Sequence, residues 1–151
     1  MEDSVSAKAP VHLWIVGVLA VLWNGFGAYD YFMTRTKGAA YIESMMPAID
    51  GAALMAYIEA MPIYASFGWG LGVWGGLVGS ILLLMRHRLA VAAFALSLLG
   101  AVVGLGYQLM RPADIPAMHE GFNGVIPYLI IAIAAALFLY ARSLKAKGVI
   151  G

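Results

Sequence analysis

The chain is 151 residues long, with 63% hydrophobic and 11% charged residues, against about 45–50% and about 25% in an ordinary soluble domain. A soluble fold of this size has no core large enough for so much apolar surface, so the composition points to a single integral membrane domain over 1–151. A formal net charge of +1 supplies no basic field for nucleic acid, and the lack of cysteine excludes disulfides, thiolate nucleophiles, iron–sulfur clusters and thiolate zinc sites.

The N-terminal MEDSVSAKAP carries two acids and one lysine. The apolar block behind it, about 11–33, is longer than the roughly 7–15-residue core of a signal peptide, so it reads as a retained spanning helix. Three further blocks are long enough, or nearly so, to cross about 30 Å of hydrocarbon at about 1.5 Å per residue, namely 62–85, 89–110 and 124–142. Pro10 stands just before the first block, Asn123 is placed to cap the fourth, and Pro127 falls in its first turn. The expected fold is an all-α four-transmembrane-helix bundle.

Within the first connection, 34–61, Leu54, Tyr57, Ile58 and Met61 follow the i, i+3, i+4, i+7 spacing of one helical face, with Asp50 placed to cap it. A short amphipathic outer helix between the first two spans is therefore predicted. Only Arg86, His87 and Arg88 separate the second block from the third, which forces a tight antiparallel hairpin. Four crossings place the termini and this bend on one side, with Lys8, Arg86, Arg88, Arg142, Lys145 and Lys147. Arg35, Lys37 and Arg111 fall on the other, so the positive-inside rule makes both termini cytoplasmic.

In lipid, small residues that allow close backbone approach mark helix interfaces. The second block presents Gly68, Gly72, Gly75, Gly76 and Gly79 in one stripe about 100° wide. The third offers Ala93, Ser97, Gly100, Gly104 and Gln108, and the first Gly17, Ala20, Asn24, Ala28 and Tyr31. These faces predict a compact bundle with Asn24, Ser97 and Gln108 turned inward, each finding a hydrogen-bond partner. Five glycines exceed what one neighbour needs, so part of the stripe is offered to a second chain.

No ionisable group stands near the bilayer centre. Asp30, near the far end of the first block, is placed with Trp23 and Phe26, beside Thr34 and Arg35 as partners. Asn24 is the deeper polar group, at the depth of Trp23 and Trp74, where an amide and two indoles have the makings of a small cavity. Tyr31, Tyr107 and Gln108, with Asp30, line an expected outward-facing pocket for a small uncharged or cationic molecule. Asn24, Asp30, Tyr31, Trp74, Tyr107 and Gln108 are thus the candidate ligand-binding residues, and the glycine faces are packing residues.

His12, His87 and His119 are unpaired in sequence, and no metal-ligand spacing occurs. Seven of the nine methionines lie toward the outer side without a repeated spacing, which suits gap filling better than copper binding. The serines have no histidine close by in a simple bundle, so neither an enzyme nor a cofactor or metal is expected.

The run WNGFGAYDYFMTRT, then AAYIESM, then GVWGGLVGSILLLMRHRLAVAAFALSLLGAVV, resembles a family of small bacterial four-helix inner-membrane proteins often labelled sugar transporters. Its marks are Trp23, Asn24, Gly27, Asp30, Tyr31, Tyr41, Trp74, Gly75, Gly76 and Gly79. The resemblance implies a bacterial inner (plasma) membrane location and no particular substrate. Two functions stay open: a structural or accessory protein, as homo-oligomer or membrane-complex subunit, and a small dimeric transporter.

Overall fold

A computed structural model describes residues 7–151, and Glu2 and Asp3 of the N-terminal charge balance lie outside it. The elements are α1 (Val11–Lys37), α2 (Ala39–Met45), α3 (Gly51–Ala60), α4 (Ile63–Leu84), α5 (Leu89–Met110), a 3-10 turn (Pro116–Met118) and α6 (Gly121–Ala146). Helices α1, α4, α5 and α6 are each long and apolar enough to cross a membrane.

Helix α1 has 27 residues, about 40 Å, and so exceeds the hydrocarbon thickness by two turns. It stops at Gly38, whose φ of 59° turns the chain and whose N–H closes on the Thr34 carbonyl at 3.1 Å. The last span departs from expectation at its start. Gly121, with φ 53°, opens α6 three residues before the predicted boundary, so Asn123 lies inside the helix and donates to the Ala117 carbonyl at 3.0 Å instead of capping it. Pro127 is consequently one turn further in than predicted.

Helices α4 and α5 form the centre, with α1 packed on α4 and α6 on α5. Their shared seam is backbone against backbone. A Cβ on Gly100 would stand 2.5 Å from the Gly72 nitrogen and 2.6 Å from the Gly68 oxygen, and one on Gly104 would stand 2.8 Å from the Trp69 nitrogen. Gly68, Gly72 and Gly75 meet the α5 backbone in the same way, Gly76 lies under Asn24 and Ser97, and Gly79 lies under Phe94. Each of the five glycines of the stripe thus meets atoms of this chain, with Gly68, Gly76 and Gly79 buried and Gly72 and Gly75 half-buried.

At one end, Leu13, Leu83, Ala90, Phe94, Leu137, Ala141 and Leu144 form a core that also takes in Val149 and Ile150 of the C-terminal tail. The α4–α5 bend at this basic end is a Schellman closure, with His87 N–H on the Leu82 carbonyl and Arg86 N–H on the Leu83 carbonyl. Arg86 occupies the left-handed position usual for glycine, at φ 57°. Its guanidinium reaches both termini, donating from Nε to the Val149 carbonyl at 2.9 Å and from Nη2 to the Ala7 carbonyl at 2.6 Å. Main-chain bonds from Gly151 to Arg86, from Arg88 to Gly151 and from Ala7 to Gly148 complete the clamp.

At the opposite end, α2, α3 and the 3-10 turn form a cap. Ile42, Ile49, Leu54, Ile58, Ala113 and Ile115 are its core, with Met46, Met55 and Met118 packed around them. Asp50 caps α3 by accepting from Ala53 N–H at 3.0 Å. The seven-residue α2 was not foreseen, because AAYIESM is too short for a helical period to stand out.

Two variants test this architecture. Gly100→Ala is expected to lower stability by about 1–3 kcal/mol through overpacking, whereas Gly106→Ala, which meets open space, should be neutral or slightly stabilising; thermal unfolding in detergent compares them. Arg86→Gly keeps the favoured left-handed backbone and loses only the side chain. Amide exchange at Val149 and Ile150 should then rise by about tenfold or more, as expected for losing hydrogen bonds to a charged donor, with helix content by circular dichroism unchanged.

Candidate functional site

The deepest polar cluster sits where α1, α4 and α5 meet. Asn24 Nδ2 donates to the Ala20 carbonyl at 2.9 Å and to Ser80 Oγ at 3.0 Å, and Ser80 Oγ donates onward to the Gly76 carbonyl at 2.7 Å. Ser97 Oγ donates across the seam to the Gly72 carbonyl at 2.6 Å. Among the described residues no buried side-chain nitrogen or oxygen lacks a partner. The Asn24 carboxamide lies over Gly76, where any Cβ would collide with its oxygen. This cluster locks helices together and is closed by its own bonds.

Trp23 and Trp74 do not join Asn24 in a cavity. Trp23 faces a groove between α1 and α6, while Trp74 stands edge-on to Tyr31 with centroids 6.3 Å apart. Adjacent residues of a helix point about 100° apart, so Trp23 and Asn24 of α1 face different neighbours. Tyr31 lies against α4, its hydroxyl beside Gly70 and its ring edge-on to Trp69 at 4.7 Å.

Asp30 takes a partner that its own helix does not supply. Its carboxylate accepts the Tyr41 hydroxyl at 2.9 Å, across the Gly38 turn, rather than pairing with Thr34 or Arg35. Tyr41 is 7% exposed, and Tyr29 stacks edge-on against it. Burial first, and then the Asp30 carboxylate, push the Tyr41 phenol up to about 12. Tyr107 belongs to a third group, with rings of Tyr57 and Tyr64 at 6.5 and 6.1 Å. Tyr57 anchors α3 by donating to the Arg111 carbonyl at 2.7 Å, and burial, followed by Tyr107, raises its phenol too.

Gln108 is turned toward α6 and, among the described residues, makes no side-chain hydrogen bond. It lines a crevice of about 310 Å³ with Leu109, Pro112, His119, Gly124 and Tyr128 at the cap end. His119 Nε2 is 2.7 Å from the Ala113 carbonyl, which can only accept, so this nitrogen donates. The crevice is thus lined by an amide, a phenol and an imidazole beside apolar side chains, a mixture suited to a small hydrogen-bonding molecule.

The six candidate ligand residues are therefore divided among the Asn24 cluster, the Asp30–Tyr41 pair, the Tyr31–Trp69–Trp74 and Tyr107 aromatic groups, and the Gln108 crevice. Ser80, Tyr41, His119 and Tyr128 were not predicted as members of these groups. Ser80 was traceable, since it adjoins Gly79 in the small-residue stripe of α4. Tyr41 was not, because the Gly38 turn breaks the helical register that links it to Asp30. No protein-family model, characterised protein or solved structure matches the chain.

The Asp30–Tyr41 bond has a testable titration. Since the folded Tyr41 phenol titrates near 12 against an ordinary value of 10.0, the stability it confers is complete below pH 10 and is lost as pH rises toward 12. Absorbance titration of the tyrosines should lose its most alkaline phase in Tyr41→Phe. In Asp30→Asn that phase should move only part of the way down, because burial is the larger cause.

Proposed function

We propose that the chain is a structural or accessory membrane protein that self-associates or serves as a subunit of a larger membrane complex. The observation that carries this reading is how little of the flanking helices is covered. In their most apolar 18-residue windows, 22% of α1 and 11% of α6 is buried. Asn24, Ser80 and Ser97 inside the spans bond to one another or to main-chain carbonyls, and the α4–α5 seam is shut by backbone contact. Helix surfaces, rather than a conduit between α4 and α5, are what this bundle offers to other molecules. Since the stripe glycines meet atoms of this chain, a partner meets α1 through large side chains such as Ile15, Leu22 and Phe26, all more than half exposed.

The end holding Lys8, Arg86, Arg88, Arg142, Lys145 and Lys147 is assigned to the cytoplasm by the positive-inside rule. Both termini are then cytoplasmic, and α2 and α3 cap the outer face. Placement in a bacterial inner membrane rests on the motif resemblance. The second reading, a small dimeric transporter, draws on the crevice at Gln108, His119 and Tyr128, which in this orientation opens toward the outer side.

A photo-activatable crosslinker at Phe26 separates the readings. In native membranes it should yield adducts heavier than the 16.1 kDa chain, whereas the same group at Gly106 serves as a control away from the proposed face. Monomer alone from Phe26 would count against the accessory role. Uptake that falls in both Gln108→Ala and Tyr128→Phe, with Tm unchanged, would support transport instead.

A further inference from the structure

At the basic end α1 and α6 are joined by a hydrogen bond between His12 Nδ1 and the Tyr140 hydroxyl at 2.5 Å, with the rings edge-on. Beyond this joint they part. Val16, Leu19, Ala20 and Trp23 of α1 and Ile133 and Leu137 of α6 line an apolar groove of about 340 Å³. His12, Val16, Leu19 and Trp23 recur at i, i+4, i+7 and i+11, so His12 stands on the groove face of α1, one turn toward the basic end from Val16.

The groove stops at a telling depth. The residues of α1 that line the groove end at Trp23, twelve residues from the helix start and thus about 18 Å along a helix of about 40 Å. A spanning helix of a second copy needs a track through the full thickness. One acyl chain of one leaflet needs half of it.

The mouth is charged. Ile133, Leu137 and Tyr140 share one face of α6 by their spacing, and Lys147 is the C-cap residue about two turns beyond Tyr140. The Ala7 N–H bond to the Gly148 carbonyl, 3.2 Å, brings the Lys8 segment alongside Lys147. Both lysines are exposed. The acids among the described residues, Asp30, Glu43, Asp50, Glu59, Asp114 and Glu120, all belong to the other half of the molecule.

We propose that this groove is a binding site for an anionic phospholipid of the basic-side leaflet, its acyl chain along Val16 to Trp23 and its phosphate against Lys8 and Lys147 beside the His12–Tyr140 pair. The apolar half of the site accepts any chain of suitable length, and the lysines select the headgroup. The inference is separate from the accessory role, since a lipid site here neither requires nor forbids a protein partner on α1.

Trp23 reports occupancy directly. The full chain, in phosphatidylcholine vesicles containing a minor fraction of brominated lipid, is compared with Trp23→Phe to isolate the Trp23 fluorescence. Brominated phosphatidylglycerol should quench Trp23 with about a tenfold preference over brominated phosphatidylcholine, equivalent to about 1.4 kcal/mol. The double variant Lys8→Gln, Lys147→Gln should abolish that preference and leave quenching by phosphatidylcholine intact. Arg142→Gln with Lys145→Gln removes the same charge from other faces of α6 and should keep the preference. Three results would overturn the proposal: equal quenching by the two lipids in the unmodified chain, equal loss in both double variants, or no Trp23 quenching by either lipid together with a disulfide dimer formed through Leu19→Cys, which would place a second copy in the groove.

Discussion

Inside a bilayer, water neither drives helices together nor satisfies a stray polar group, so a bundle must be held by close packing and internal hydrogen bonds. Here the contact that meets this constraint is the α4–α5 seam, in which Gly68, Gly72, Gly100 and Gly104 bring two backbones within van der Waals distance. The three-residue bend sets the register of the seam. Helices α1 and α6 are placed by what this pair presents on its two sides.

The same constraint explains the polar residues within the spans. Asn24 would be costly on a lipid face, but over Gly76 and beside Ser80 it binds α1 to the central hairpin. Ser97 does likewise between α4 and α5. The membrane interior therefore contains polarity that is structural. Gln108, whose side chain makes no hydrogen bond within the described residues, lies instead toward the cap.

Much of this was legible in the sequence because membrane helices are read from long blocks and fixed periods. The four spans, the hairpin at Arg86 to Arg88, the small-residue faces and the Asp50 cap all follow from local pattern. What escaped the sequence depends on turns. Gly121 starts α6 early and displaces Asn123 and Pro127 from the positions a block boundary gives them. Gly38 carries Tyr41 back onto Asp30, a juxtaposition that no helical wheel contains. Angle around a helix was harder to read than position along it, which is why Asn24, Trp23 and Trp74, expected to line one cavity, face separate neighbours.

Arg86 joins the hairpin bend to Ala7 on one side and Val149 on the other. These three points are far apart in the chain, and the bonds form only when all of them emerge on one face of the membrane. A chain that inserted three spans, or inverted its central hairpin, would leave at least one carbonyl on the wrong face and the guanidinium without it. Tail and bend are thus conditions of one another, since neither carbonyl is reached unless both termini lie on the side of the bend.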